Sequence, residues 1–289
     1  MKKSIFKTGA LFLMGAVMFT SCTQDETTVA NQEEQNAVSK KLLQKISDVG
    51  LTTDGVKYVE FQLPDGSLET RVQLGEDVVM EEDAIWALEN FNEMIPDADE
   101  ATQKQYRTFN LVTGSNRTID IIGYTGGGGF GLTSRQQTAL QWAVNNYNRL
   151  SSMNLDFRLT YGTNYQDKDI VVYRQPNNSG AGGVAGFPSN GRPNKFIQIY
   201  SGMDTYTTNA NEHVITHEIG HSVGLRHSDY FSRQSCGQNS NEGSAGVGAV
   251  YINGTANGWD PSSLMNACFS ANSDGEFNAN DRRALQTIY

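Results

Sequence analysis

All four histidines of this 289-residue chain fall within one short stretch, at His213, His217, His221 and His227. Three of them belong to His217-Glu218-Ile219-Gly220-His221-Ser222-Val223-Gly224-Leu225-Arg226-His227, an HExxHxxGxxH string. On an α-helix, residues four apart stack on one face, so His217 and His221 can aim ring nitrogens at one ion about 2 Å away. A third ligand must come from outside the helix. Gly224 can take the left-handed conformation that ends a helix at little steric cost, and a chain turned there can bring His227 back. Three imidazoles leave one position for water, the arrangement of catalytic rather than structural zinc. Glu218, on a slightly rotated face, can reach that water without binding zinc and take its proton as it attacks a carbonyl. His213 lies one turn before His217, about 6 Å further along the axis, which suits packing or a supporting contact better than ligation. Asp229 could accept a bond from a ligand imidazole, lock the loop, or be a solvated turn residue.

The HEIGH core followed by His227-Ser228-Asp229 resembles the bacterial dual-action HEIGH metallopeptidases of the metzincin clan, and the His-Ser tail also resembles matrixins. That resemblance implies an α+β fold. Its catalytic domain would be metzincin-like (zincin), with a mixed, mostly parallel sheet, an active-site helix and a Met-turn. Ser263-Leu264-Met265-Asn266 resembles the Ser-x-Met of a Met-turn, with Met265 as a hydrophobic floor that packs and does not ligate. Astacins and serralysins carry a tyrosine two places after that methionine; here the place is Ala267, so no tyrosine ligand is expected from it. Tyr206, Tyr230 and Tyr251 are not separated by the sequence as oxyanion donors.

The order of elements suits this clan. Branched residues at 118–124 predict a strand, and apolar spacing over Ser134 to Asn148 predicts a helix capped by Thr133 or Ser134. Strands are expected at 155–161, 170–174 and 195–200. The Gly-rich stretch 180–188 is read as leading to the edge strand that, in metzincins, binds extended substrate by strand addition, the alternative being a surface loop. The active-site helix is expected from Asn209 or Asn211 to Val223, and a final helix from Asn280 to Tyr289.

Lys2, Lys3 and Lys7, an apolar run from Ala10 to Phe19, and Thr20-Ser21-Cys22 resemble a bacterial lipoprotein signal over residues 1–22, with Cys22 lipidated; an ordinary secretory signal is the alternative. The apolar run is too short to span a bilayer. An outer-membrane or cell-surface location follows, with a membrane contact through the lipid. With 22 Lys+Arg against 32 Asp+Glu and a formal charge of -10, nucleic acid is excluded as a partner. In an oxidising compartment Cys236 and Cys268 are expected to pair, the alternative being two buried thiols.

Residues 23–38 are polar and read as a flexible tether. Residues 39–105 form a small acidic segment, either a propeptide or an accessory domain, and 106–289 the catalytic domain. Within the acidic segment a short helix around Leu42, Leu43 and Ile46, a hairpin turning at Pro64-Asp65-Gly66 and a helix from Met80 to Met94 are expected. It has no cysteine for a thiol switch, but an aspartate such as Asp54 or Asp65 could act on the zinc as in astacins. Lys104 or Arg107 would be the cleavage point.

The expectation is a zymogen of a monomeric zinc endopeptidase acting on proteins or peptides. Zn2+ would be held by His217, His221 and His227, with Glu218 as general base. The competing readings are a surface binding lipoprotein with a structural zinc site and a zinc amidase acting on a non-protein amide. Calcium stays unassigned, because Asn272-Ser273-Asp274-Gly275-Glu276 has suitable oxygens without the EF-hand spacing.

Overall fold

A five-stranded sheet in the order β6-β5-β7-β9-β8 organises the chain. Its strands are β5 (Arg117–Tyr124), β6 (Leu155–Gly162), β7 (Ile170–Gln175), β8 (Gly183–Val184) and β9 (Phe196–Tyr200). Four of them run parallel, and the short β8 is antiparallel at the edge. Strands β7 and β9 are almost wholly buried, as expected of parallel strands covered on both faces. This computed structural model describes residues 38–90, 105–115, 117–240, 242, 249–255 and 258–289. The signal expected at 1–22, Cys22, nearly all of the expected tether at 23–38 and Lys104 lie outside the described residues. Among the described residues no helix is long and apolar enough to cross a membrane.

One face of the sheet carries α3 (Ser134–Asn148), α4 (Thr208–Ser222) and α5 (Ala279–Ile288). Thr133 opens α3 with a capping box completed by Gln136, which satisfies two otherwise orphaned donors at the helix start. The largest apolar core lies between these helices and the sheet; Leu140, Ile197, Ile215, Ile219 and Leu285 are fully buried in it. Thr207 caps α4, two residues before the earliest start read from the sequence. The Asn211 side chain donates to the carbonyls of Met203 and Thr207 at 3.0 and 2.9 Å, so it anchors the helix rather than starting it.

The N-terminal segment builds α1 (Lys40–Asp48), a meander of β1 (Lys57–Gln62), β2 (Leu68–Gln73) and β3 (Val79–Met80), and α2 (Glu82–Trp86). The β1–β2 hairpin turns where Pro64-Asp65-Gly66 predicted. The helix expected from Met80 to Met94 is corrected: Met80 pairs with Val72 in β3, its side chain is buried, and α2 spans only Glu82–Trp86; residues 91–94 lie outside the described residues. Arg107 sits in β4 (Tyr106–Arg107), paired with β10 (Val250–Tyr251) and bridged to Leu225. A strand held on both sides is a poor cleavage point.

The meander covers the second face of the main sheet. Phe61, Leu63 and Val79 share a core with Tyr124, Val171, Tyr173 and Phe196. The buried Arg71 guanidinium lies 4.3 and 5.0 Å from the ring centres of Phe61 and Phe196, with its charge met by Glu69 and Glu81. Residues 38–289 thus make one compact unit. Phe196→Ala, at the ring that joins the two layers, is expected to lower stability by about 3–5 kcal/mol in chemical denaturation; a loss below about 1 kcal/mol would show that the layers do not depend on it.

Candidate metal centre

His217 and His221 stand one turn apart on α4, with ring centres 4.6 Å from each other. The helix stops at Ser222 and closes in a Schellman turn: Leu225 N donates to Gly220 O and Gly224 N to His221 O, both at 2.9 Å. Gly224 has φ +107, and a Cβ there would meet Leu111 Cδ2 at 2.8 Å. Beyond it the chain returns along β4, with Thr108 N donating to Gly224 O and Arg226 N to Tyr106 O, and delivers His227 opposite the two helical imidazoles.

Each ring is oriented through its Nδ1. Leu264 O lies 3.0 Å from His217 Nδ1 and Leu225 O 2.8 Å from His221 Nδ1, while both Glu242 oxygens lie 2.8 Å from His227 Nδ1. Acceptors at Nδ1 place the proton there and leave Nε2 as the free lone pair. The Nε2 atoms of His221 and His227 come within 3.2 Å, and facing lone pairs at that distance repel unless a positive charge lies between them. Asp77 completes the group: its Oδ2 is 2.8 Å from His227 Nε2, 3.6 Å from His217 Nε2 and 3.8 Å from His221 Nε2. All four ligand atoms lie within 4.8 Å of one another. Zinc bonds of about 2 Å imply a tetrahedron with edges of about 3.3 Å, so three imidazoles and one carboxylate fit zinc.

Asp77 was not among the aspartates singled out by sequence. It sits at the tip of the β2–β3 hairpin, closed by Leu74 N donating to Val78 O at 2.8 Å. Asp54 is exposed, and Asp65 holds Ser67 and the Tyr165 hydroxyl, so neither takes the position expected of it. Burial would raise the Asp77 carboxyl, but a protonated His227, standing in for a metal ion, and the other two facing imidazoles hold it well below the usual carboxylate range. Burial opposes a charge on His227 too, yet Asp77 and Glu242 push its pKa well up. Glu242 was also missed; it is a single acid in a Gly- and Ser-rich stretch. Arg233 holds it at 2.9 Å and reaches Glu76 at 2.6 Å, and so ties the hairpin tip to the His227 side of the site.

Glu218 follows His217 and is buried, with no protein partner for its Oε2. Burial and then the Asp77 charge push its carboxyl well up. Met265 is fully buried beneath the helix: a Cβ on Gly220 would stand 2.6 Å from its Sδ, so the glycine of HEIGH admits the thioether. The turn is held from two sides. Asp281 of α5 accepts from Ser263 Oγ and Leu264 N at 2.7 and 3.0 Å, and Ser228 N donates to Met265 O at 2.7 Å. Asp229 touches no imidazole and is buried; it accepts from Ser235 N and Ala267 N, both at 2.9 Å, and locks the loop. Cys236 and Cys268 are joined by a disulfide in the same region.

His213 stays outside the metal group. Its ring packs on Phe269, 5.8 Å between centres, and burial, helped by the His217 charge, pushes its pKa down to about 3. In the loop considered for calcium, Glu276 pairs with Arg149 and Asp274 caps Glu276 N, so these oxygens do not converge. Among the described residues the only group of three or more potential metal ligands is Asp77 with the three histidines. Of the tyrosines left open, Tyr251 donates to Thr255 O, Tyr206 packs on Phe269 and Tyr230 on Tyr106. Tyr200 instead has the charges of Glu218 and Asp77 behind its burial, all three raising its pKa.

Two cavities flank the histidines. One of about 350 Å³ adjoins His221 and His227; the other, of about 240 Å³, adjoins His217 and Glu218. Because Glu242 orients His227, Glu242→Gln is expected to weaken zinc binding by about 10–100-fold in competition with a chromogenic chelator. Unchanged affinity would show that His227 needs no carboxylate behind it.

The sequence pattern of the dual-action HEIGH metallo-peptidase family matches residues 78–289. No curated protein matches the chain. Two solved structures of myroilysin are similar to it: one at 15% identity and TM-score 0.38, covering 62% of this chain and 97% of its own, and one at 13% identity and TM-score 0.37, covering 75% and 99%. With the family pattern spanning most of the chain, the three histidines, Glu218 and the Met-turn included, this protein belongs to the dual-action HEIGH metallo-peptidases.

Proposed function

We propose that this metallopeptidase is an exported lipoprotein, anchored through Cys22, that cleaves polypeptides internally and is made latent by its own Asp77. The observation that carries the reading is the Asp77 carboxylate set against three converging imidazoles, with the unpartnered Glu218 carboxyl beside them. His217, His221 and His227 would hold zinc through Nε2. Zinc bound there supplies polarisation of the scissile carbonyl and a nucleophilic water near neutral pH. Glu218 takes the proton of the attacking water and passes it to the leaving nitrogen; its raised pKa suits a carboxyl that must hold that proton between the two steps.

Extended substrate would add to the sheet edge at β8. In the full chain that place is taken. Ala185 N donates to Asp77 O at 3.0 Å and Val79 N to Ala185 O at 2.7 Å, and Val78 bridges Ala185 in parallel. The hairpin therefore covers the backbone next to β8 while its tip fills the position a water would need. Latency would end when the acidic segment is removed. The export reading rests on the N-terminal basic, apolar and Ser21-Cys22 pattern.

Glu218→Ala is expected to retain stoichiometric zinc and lose about 10²–10⁴-fold of casein hydrolysis, measured by metal analysis and a fluorescent casein assay on proteolytically activated protein. Parental activity in this variant would sink the general-base role. Asp77→Asn in the full-length chain is expected to raise hydrolysis of a short fluorogenic peptide before activation several-fold, because such a peptide does not need the sheet edge that the seated hairpin covers, while parent and variant converge after activation. Equal activity of the two before activation would remove Asp77 as the latency device.

A further inference from the structure

We infer that the activated enzyme takes an acidic substrate side chain on the carbonyl side of the scissile bond, and that Arg233, which holds Glu76 in the full chain, is the residue that selects it. The inference rests on the peptidase reading above. Glu218 returns its proton to the leaving nitrogen, so the part of the substrate bearing the carbonyl lies away from Glu218. The cavity of about 350 Å³ is bordered by His221 and His227 and not by Glu218, which sets it on that side.

The charge of this cavity changes when the acidic segment leaves. Glu76 and Asp77 go with the segment, and of the described residues that line the cavity only Phe187, His221, Arg226, His227, Arg233 and Glu242 stay. Two guanidinium groups then face one carboxylate, before any charge from a bound metal is added. That carboxylate is already engaged, because Glu242 meets His227 Nδ1 with both oxygens and Arg233 Nη1 with one of them. Arg226 is buried, 5.8 and 5.6 Å from the ring centres of Phe187 and Tyr230, so its charge is fixed in the wall. The residues that stay therefore favour an anion and repel an ammonium or a second guanidinium.

Arg233 is placed to hold that anion. Its Nη2 lies 2.6 Å from Glu76, and its side chain is 11% exposed whereas that of Glu76 is 73% exposed. The guanidinium is thus already stripped of most of its water and aimed, and the acid reaches it from the solvent side. Its backbone sits at φ +50, an uncommon conformation for a residue with a side chain, kept by Arg233 N donating to Asp229 O at 2.7 Å and by the nearby Cys236–Cys268 disulfide. Arg233 Nε is buried with no protein partner. Once Glu76 is gone, Nη2 keeps only the Cys236 sulfur at 3.6 Å, a weak acceptor. Two charged donors are then left short of acceptors, and a carboxylate can accept from both while an amide offers a single oxygen. Glu76 holds in the latent chain the place that a substrate acid takes after activation.

The test uses a peptide library cut by the full-length chain after limited proteolysis, comparing glutamate with glutamine at each position before the cut. At one of these positions the parent is expected to favour glutamate in kcat/KM by about tenfold or more, and less so as sodium chloride is raised. Arg233→Gln is expected to bring the ratio close to unity, and Arg233→Lys, which restores a cation, to keep glutamate ahead. Each ratio is taken within one protein, so any zinc lost through Glu242 cancels. A second readout needs no catalysis: the full-length Glu76→Ala chain, labelled with 15N-arginine, is titrated with N-acetylglutamate amide and N-acetylglutamine amide. The Arg233 Nε resonance, identified by its loss when Arg233→Lys is added, is expected to shift with the glutamate compound alone, and to stay put in the parent, where Glu76 fills the place. No glutamate preference in the parent, an unchanged ratio in Arg233→Gln, or an Arg233 resonance indifferent to the glutamate compound would each overturn the inference. A glutamate-dependent shift with no cleavage in any activated preparation supports the acid site and counts against the peptidase reading instead.

Discussion

Everything at this site depends on three imidazoles being held with their Nε2 atoms toward one point. No ring achieves this alone. His217 is fixed by a carbonyl of the Met-turn, His221 by a carbonyl just past its own helix end, and His227 by a carboxylate that Arg233 holds in turn. Such an arrangement brings lone pairs and carboxylates together in a water-poor space, where an uncompensated charge is worth several kcal/mol. It is stable only if something positive sits among them. A zinc ion meets that demand, and the surrounding structure can be understood as the scaffold that keeps the demand in place.

The scaffold explains why remote elements matter. α5 contributes nothing to the histidines directly, yet its Asp281 holds Ser263 and Leu264, and Leu264 holds His217. The loop after His227 is closed onto the same turn by Ser228, Asp229 and the Cys236–Cys268 disulfide. Gly224 and Gly220 serve the same end by opposite means, one by a backbone sign that bends the chain and the other by the missing side chain that lets Met265 approach. Polar ties of this kind restrict rotamers as well as add energy, and rotamer freedom is what a three-ring site can least tolerate.

Those parts of the site that share a local period were legible in the sequence. Helical spacing placed His217 and His221 on one face, Gly224 announced the stop, and the strands β5, β6, β7 and β9 were visible as branched apolar runs close to their observed bounds. Asp77 and Glu242 were not. Asp77 is 150 positions from His227, in an acidic stretch where no periodicity sets one carboxylate apart, and its hairpin was hidden because Met80 read as the start of a helix. Two residues are too few for a strand alternation to show; pairing with β2 and burial of Met80 decided the outcome. Glu242 gave no signal because its role is set by the fold of the loop around it.

The hairpin tip also bears on how a segment of the same chain could block a peptidase without being cut by it. Between the histidines it places a side-chain carboxylate, where a substrate would present a main-chain carbonyl, and it keeps its peptide bonds to one side in a parallel bridge with Ala185. Its grip is distributed: Val78 and Met80 are buried in a core with Leu42, Ile46 and Ile85, Val79 joins the core shared with the main sheet, and Glu76 adds an exposed contact to Arg233. The apolar contacts supply most of the holding energy, at roughly 25 cal/mol per Å² of buried apolar surface, whereas under the proposed latency the Asp77 contact would carry the chemical block. A plug built in this way would separate affinity from inhibition. Loss of the carboxylate would leave the segment seated but the metal position open, and removal of the segment would free the sheet edge and the metal position together.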